Sequence, residues 1–137
     1  MKQVFILGAP RSGTTLLASL LKQSNYGTPI ETHFITKYYN RYQRYGDISK
    51  KENFISLLKD ICKERYIAQW KIDFNYENIW NNAYSKDFSG LCNSLIMDRF
   101  SQFGFTSWSD KTPSYILNIP VLRELFPEAK YIYIIRD

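Results

Sequence analysis

A glycine-bracketed loop lies close to the N-terminus, with the sequence Gly8-Ala9-Pro10-Arg11-Ser12-Gly13-Thr14-Thr15. It follows an apolar run and precedes a leucine-rich run with helical spacing. Gly8 and Gly13 permit backbone angles and a close ligand approach that a Cβ would prevent. The unpaired N–H groups at the start of a helix, and the positive end of its dipole, attract anions. The loop therefore has the residue types and spacing of a site for phosphate or another oxyanion.

The loop keeps the Gly-x4-Gly spacing of a P-loop, but Thr14 stands where nucleotide triphosphatases carry lysine. That lysine reaches the β- and γ-phosphates, and the next hydroxyl binds magnesium. Here the nearest cation is Arg11, whose guanidinium suits a trigonal oxyanion and needs no metal to neutralise it. A P-loop kinase or nucleotide triphosphatase with a degenerate loop is the first alternative, and Thr14 argues against it.

Two further side chains have the chemistry of a general base. Glu31 and His33 stand two residues apart in the segment from Pro29 to Phe34, which we expect to be extended. Alternate residues of an extended chain project to the same side, so the two could pair or exchange roles. His33 is the only histidine of the chain, and an imidazole is a common general base in proteins.

The elements that must position these residues are predicted from hydrophobic patterning. The apolar run from Gln3 to Leu7 predicts a parallel strand covered on both faces, and the run from Ala129 to Ile135 predicts a second one. A helix is predicted from about Ser12 to Ser24, with one stripe packed on the sheet: Leu16, Leu17, Leu20 and Leu21. Phe105 to Ser109 is a candidate short strand, and Thr112-Pro113 is a helix start.

The pattern of residues from Thr36 to about Tyr84 predicts a helical insertion. Ser49-Lys50-Lys51-Glu52 has the pattern of a capping box at the start of a helix. Helical spacing of its tyrosines indicates core packing more than an acceptor pocket. A further helix is predicted from about Lys86 to Phe103, capped by Gly104, with an apolar stripe of Phe88, Leu91, Cys92, Leu95, Ile96 and Phe100.

Composition sets the class of protein. The net charge of +5 is modest, and without a run of five or more basic residues it gives no sign of a nucleic-acid partner. No apolar run approaches the ~18 residues of a membrane span. Cys62 and Cys92 fall on apolar helix stripes and are expected to be buried free thiols, which fits a reducing compartment. We therefore expect a cytoplasmic protein.

Together the elements predict an α/β fold, with a P-loop-like doubly wound parallel sheet and a helical insertion. The 137 residues are enough for one domain or part of one. Arg136-Asp137 follow directly on a strand whose carboxyl end is where such a sheet binds its ligand. We expect residues 1–137 to be the N-terminal part of a single longer domain whose sheet is incomplete here.

Four segments in this order resemble the sulfotransferase family, nearest to its bacterial, tyrosyl-protein and heparan branches. They are the loop Gly8 to Thr15, Glu31-Thr32-His33-Phe34, Asp110-Lys111-Thr112-Pro113, and the closing segment from Leu125 to Asp137 with its Phe-Pro-Glu-Ala-Lys sequence. Residues 38–103 have no counterpart in this resemblance. These enzymes use 3′-phosphoadenosine-5′-phosphosulfate (PAPS) as the sulfonate donor.

The resemblance implies roles for individual residues. The 5′-phosphosulfate would be held by Arg11, Ser12, Gly13, Thr14 and Thr15, with Arg11 also stabilising the bridging oxygen during transfer. Arg136 would bind the 3′-phosphate. Glu31 would be the general base, with His33 as its rival, and Lys111 would approach the transferring sulfonate or the acceptor.

Some points stay open from the sequence. Asp110 could orient Lys111, or Asp110 to Thr112 could simply cap a helix. The acceptor would be a hydroxyl or amine on a small molecule, carbohydrate or peptide. The second alternative to a sulfotransferase is a non-catalytic fragment that binds the nucleotide without turning it over.

Overall fold

The computed structural model of the chain describes residues 3–8 and 14–134. These residues form two compact units. One is the helical stretch Phe34–Arg99, and the other contains the rest of the described chain, including the sheet. The molecule is therefore of mixed α/β class, with a small parallel sheet and several helices.

The sheet has three parallel strands: β1 (Val4–Gly8), β2 (Ser109–Asp110) and β3 (Lys130–Ile134). Their order is β2-β1-β3, so the first strand of the chain lies in the middle. β1 pairs with β3 over its full length, from Val4 opposite Lys130 to Gly8 opposite Ile134. Ile30 adds a single parallel bridge to Asp110. The prediction of strands at both ends is confirmed, while double winding of the sheet stays a prediction.

The core of the sheet unit is built around Phe5, which is fully buried in β1. Its ring centroid lies 5.4 Å from that of Trp108, 5.8 Å from that of Phe126 and 5.8 Å from that of Tyr131. Every residue of β1 before Gly8 is buried, as expected for a central parallel strand. Such aromatic packing contributes stability beyond the area that it removes from water.

Two expectations for this unit are wrong. β3 is not buried: Tyr133 is 51 % exposed, and Lys130 is exposed as well. Within the described residues β3 pairs only with β1, so its other side has no strand against it.

In the helix α1 (Thr14–Lys22), Leu16 and Leu20 are exposed, so the predicted leucine stripe does not pack as a whole. Leu17 and Leu21, on the other side of the stripe, are half-buried, so the face that packs is narrower than the predicted stripe.

The connection from β2 to β3 contains a 3-10 helix, Pro113–Asn118, and the helix α7 (Ile119–Leu125). Pro113 is in the first turn of the 3-10 helix, as predicted, because the missing N–H of proline would have no partner there. The predicted strand from Phe105 to Ser109 is instead limited to Ser109–Asp110.

The helical unit contains α2 (Phe34–Tyr39), a 3-10 turn (Tyr42–Tyr45), α3 (Lys51–Cys62), α4 (Arg65–Ala68) and α5 (Tyr76–Asn82). It also contains most of α6 (Phe88–Ser101). The predicted stripe of α6 is confirmed, since all six of its residues are buried. Gly104 follows α6 with a φ of 82°, and its N–H donates to the Ser101 carbonyl at 3.0 Å.

The predicted capping box at α3 is wrong. The N-cap position is Lys50, and its side chain makes no capping hydrogen bond. Ser49 turns instead to Asp47, whose Oδ1 accepts from the Ser49 N–H at 3.0 Å and from its hydroxyl at 2.7 Å. This local turn competes for the serine hydroxyl that a capping box would use.

Both cysteines are free thiols, as predicted. Burial raises the pKa of the Cys62 thiol to about 12 and that of Cys92 well above its ordinary value. Thiols of this kind are packing groups and not nucleophiles. In the described part of the chain, no helix has both the length and the apolar character to cross a bilayer.

Candidate functional site

The described strands direct their carboxyl ends to one edge of the sheet. β1, β2, β3 and the bridge at Ile30 all run parallel, so the chain leaves each of them on the same side. From β1 the chain goes first to β2 on one flank and then to β3 on the other. The order therefore reverses between β1 and β3, and open α/β sheets bind ligands at such a point, outside the carboxyl ends of the strands.

Several predicted donor residues lie outside the described residues: Arg11, Ser12, Gly13 and Arg136. For Thr14 and Thr15 the structure describes only that they open α1. Their predicted roles therefore stay predictions. The flanking elements are described: β1 ends at Gly8, α1 begins at Thr14, and β3 ends at Ile134.

Glu31 and His33 form a pair. Nε2 of His33 lies 2.9 Å from Oε2 of Glu31, and their side chains are 31 % and 44 % exposed respectively. Both groups are therefore partly accessible from solvent. The segment is not a regular extended strand, because His33 has a φ of 59° just before α2. This left-handed conformation is uncommon outside glycine and needs support from surrounding contacts.

Lys111 leaves the sheet beside this pair. Its backbone N–H donates to the Ile30 carbonyl at 2.7 Å, and the Ile30 N–H donates to the Ser109 carbonyl at 3.1 Å. These bonds align Ile30, the residue before Glu31, with the segment from Ser109 to Lys111. Lys111 and Glu31 are thus the first residues after two adjacent parallel segments.

A buried polar cluster lies between these segments and consists of Thr32, Asp110, Thr112 and Tyr115, none of them more than 1 % exposed. Asp110 Oδ2 accepts from the Thr32 hydroxyl, and Oδ1 accepts from the Thr112 hydroxyl at 2.7 Å. The Thr32 N–H donates to Thr112 Oγ1 at 3.1 Å. The Tyr115 and Thr32 hydroxyl oxygens are 2.7 Å apart. The cluster joins the Glu31–His33 segment to the Lys111 segment.

Burial raises the pKa of the Asp110 carboxyl from 3.8 to about 7. The hydrogen bonds from Thr112 and Thr32 act in the opposite direction, and the negative charge of Glu31 adds to the rise. A carboxyl in this position changes its protonation state near neutral pH.

Asp110 does not pair with Lys111 within the described residues, where its oxygens face the two threonine hydroxyls. The capping alternative also fails, because Thr112 at the N-cap position of the 3-10 helix makes no side-chain capping bond. Thr32 and Tyr115 are not among the site residues predicted from the sequence. A signal for Thr32 was present: a polar residue between two outward-facing ones must face inward, where it needs a partner.

Compared with known protein families, residues 3–137 match the sulfotransferase family. The chain belongs to the sulfotransferase family. The match covers the two ends that carry the predicted motifs and also the helical unit between them. A search of curated proteins found no match. Membership in the sulfotransferase family assigns the chain, in general terms, to the transfer of sulfonate groups.

Two other features of this sulfotransferase bear on its possible sites. Among residues 3–8 and 14–134, no three or more His, Cys, Asp and Glu side chains form a group that could hold a metal ion. An open groove of about 840 Å³ runs along α3, lined by Lys50, Lys51, Glu52, Ile55, Ser56 and Lys59. None of the predicted site residues belongs to this groove.

Proposed function

We propose that the chain transfers a sulfonate group from PAPS to a hydroxyl or amine acceptor. The observation that carries this proposal is the pairing of β1 with β3. β1 leads into the loop from Gly8 to Thr15, and β3 leads towards Arg136. The two predicted phosphate-binding segments therefore follow neighbouring strands at the reversal point of the sheet, where such folds bind nucleotides.

The junction at Gly8 supports a donor site here. A Cβ built on Gly8 would lie 2.8 Å from the carbonyl oxygen of Ile134. Only glycine lets the last residues of the two strands come this close. α1 then begins at Thr14, and the first N–H groups of a helix have no partner within that helix, so they can bind an anion.

When bound, PAPS supplies a sulfonate group joined to a phosphate that can leave. Arg11 and the N–H and hydroxyl groups of residues 12–15 would hold the 5′-phosphosulfate, and Arg136 would hold the 3′-phosphate. Donors fixed around the bridging oxygen stabilise the negative charge that develops there during transfer. Arg11 is best suited to this because its fork of N–H groups matches oxyanions.

The acceptor side would be formed by Glu31, His33 and Lys111. The acceptor hydroxyl or amine loses a proton as it attacks, and a carboxylate or imidazole within hydrogen-bond reach would take it. We assign this role to Glu31, with His33 as its hydrogen-bonded partner at 2.9 Å. Lys111 would neutralise the negative charge of the sulfonate as it moves.

The donor assignment is tested by calorimetric titration with adenosine 3′,5′-bisphosphate. We expect micromolar binding, lost in Arg11→Ala and weakened in Arg136→Ala. Arg123→Ala is a matched control, because Arg123 lies over the Tyr131 ring close to the amino end of β3. Equal affinities in all four proteins would overturn the assignment. Magnesium-dependent binding of ATP in place of the bisphosphate would favour a P-loop kinase or triphosphatase.

Transfer itself is tested with sulfur-labelled PAPS and an acceptor panel: a phenol, an amino-sugar oligosaccharide and an acidic tyrosine peptide. We expect label on at least one member of the panel, and no transfer with Arg11→Ala. Tight bisphosphate binding with no transfer to any acceptor would favour a non-catalytic nucleotide-binding protein.

A further inference from the structure

We propose that Asp110 is a positioning residue for the acceptor side of the site. Its two carboxylate oxygens hold Thr32 and Thr112, and through them set the Glu31–His33 pair against the segment that carries Lys111. The inference rests on the proposed function only in treating Glu31 and His33 as part of the acceptor site. The hydrogen bonds themselves do not depend on the reaction.

The directions of the hydrogen bonds show what Asp110 does. Thr112 Oγ1 accepts the Thr32 N–H and donates its own proton to Asp110 Oδ1. The Thr32 hydroxyl donates to Asp110 Oδ2, so the Tyr115 hydroxyl donates to Thr32. Each hydroxyl supplies one proton, and the chain of donors ends on the carboxylate. With these directions, the ionised form of Asp110 accepts at both oxygens.

The residues that these bonds connect are placed for control of the site. Thr32 stands between Glu31 and His33, and Thr112 follows Lys111 directly. The bonds from Thr32 to Asp110 and to Thr112 cross between segments about eighty residues apart in the chain. Loss of Oδ2 as an acceptor removes the bond of the Thr32 hydroxyl, and loss of Oδ1 removes the bond that orients Thr112 Oγ1 towards the Thr32 N–H. Either loss weakens the hold on Thr32 and on the residues on both sides.

The backbone at His33 supports the same conclusion. A φ of 59° at a non-glycine residue persists only where neighbouring contacts over-determine it. Thr32, immediately before it, is held by its N–H and by its hydroxyl. The tether through Asp110 thus helps to maintain the conformation in which Nε2 of His33 reaches Glu31.

A role in packing alone would not need this residue. A buried carboxyl loses hydration that only hydrogen bonds replace, and apolar side chains of similar size fill a core at lower cost. The carboxylate contributes instead a fixed direction for two hydroxyls, as positioning residues of binding sites do.

The test compares variants of the full chain. Asp110→Asn keeps the shape but replaces one acceptor oxygen with a donor. Thr32→Val removes the hydroxyl, and Thr32→Ser restores it. Ser109→Ala is the matched control, because this fully buried hydroxyl lies one residue from Asp110 but donates to the carbonyls of Tyr26 and Gly27 at 3.3 Å.

The first readout does not depend on activity. His33 is the only histidine, so its ring protons give isolated NMR signals. We expect Asp110→Asn and Thr32→Val to move these signals, and Thr32→Ser and Ser109→Ala to leave them in place. Circular dichroism establishes whether each variant is folded. If Asp110→Asn does not fold, the comparison of Thr32→Val with Thr32→Ser decides the outcome.

The second readout is the rate of sulfonate transfer to the acceptor panel. Misplacement of catalytic groups by about 1 Å lowers rates on the order of 10²-fold, so we expect a loss of that size in kcat. The KM for the donor and the affinity for adenosine 3′,5′-bisphosphate should stay unchanged, and Thr32→Ser should recover the rate. A merely structural role would give Ser109→Ala the same loss.

Failure of the two proposals is distinguishable. Unmoved His33 signals together with an unchanged kcat in folded Asp110→Asn and Thr32→Val would overturn the positioning role. If the unmodified protein transfers no sulfonate, the proposed function fails. The His33 signals then decide alone whether Asp110 positions the segment.

Discussion

Nε2 of His33 lies 2.9 Å from Oε2 of Glu31, and both side chains are partly exposed at the carboxyl edge of a parallel sheet. A carboxylate and an imidazole at this distance can share one proton-transfer function, and in the proposed function one group acts on the acceptor while the other orients it. The distance between the two groups does not show which of them takes the proton, so kinetic measurements must separate the two roles.

We predict that Glu31→Gln lowers the rate of sulfonate transfer by about 10²- to 10⁴-fold at saturating donor. His33→Gln should cost less, because it removes the orienting partner and leaves the base. Initial rates with the acceptor panel measure both effects, and binding of adenosine 3′,5′-bisphosphate serves as the control for an intact donor site. A larger loss for His33→Gln would make the imidazole the base.

A second prediction concerns stability and pH. Burial raises the pKa of Asp110 to about 7 in the folded protein, against 3.8 for an exposed carboxyl. Between these values the folded state binds a proton that the unfolded state does not, so the free energy of unfolding must fall as pH rises. The fall is at most on the order of 4 kcal/mol and ends above pH 7.

Urea unfolding at several pH values measures this fall. The ionisable side chains of the adjoining segments, Glu31, His33 and Lys111, are all retained in Asp110→Asn. The difference between the two proteins therefore isolates the buried carboxyl. Identical pH dependence in both would mean that Asp110 ionises normally in the folded state.

The sequence predicted those parts of the fold that depend on local patterns. The predictions of the apolar stripe of α6 and of the glycine that ends it were correct. Residues three and four apart lie on the same face of a helix, and this does not depend on what packs against that face. The exposure of Leu16 and Leu20 could not be predicted in this way. It depends on what packs against α1, and a hydrophobic pattern does not contain that information.

The candidate site shows the same limit. Glu31, His33 and Lys111 stand out by residue type, but the cluster that aligns them joins Thr32 to Asp110, Thr112 and Tyr115 across about eighty residues. A single sequence gives no measure of which distant hydroxyl meets which carboxylate. Ser49 illustrates a smaller failure, since its hydroxyl donates to the nearby Asp47 carboxylate, whereas a capping serine accepts from an N–H group at the helix start.

We next predict that Trp108 is essential for the stability of the sheet unit. Its ring is fully buried against Phe5 and Phe126, and its carbonyl accepts from the Val4 N–H at 3.1 Å. Trp108→Ala should reduce the free energy of unfolding by about 3 to 5 kcal/mol. Urea unfolding followed by circular dichroism measures the loss.

Trp70→Ala is the comparison for this experiment. Trp70 is only partly buried, with the Arg99 guanidinium 5.1 Å from its ring centroid, so its removal should cost clearly less. Equal losses in the two variants would show that the aromatic cluster around Phe5 does not dominate the core.

The last prediction uses two glycines with different surroundings. A Cβ on Gly8 would lie 2.8 Å from the Ile134 carbonyl oxygen, whereas a Cβ on Gly104 would meet nothing within 4 Å. Gly104 has a φ of 82°, so Gly104→Ala carries a conformational cost of about 1 kcal/mol. Gly8→Ala adds a backbone clash that must push β1 and β3 apart where they end. It should therefore lose more stability than Gly104→Ala and also lose affinity for adenosine 3′,5′-bisphosphate, measured by calorimetry. If Gly8→Ala binds the bisphosphate as tightly as Gly104→Ala does, close approach of these two strand ends is not what forms the donor site.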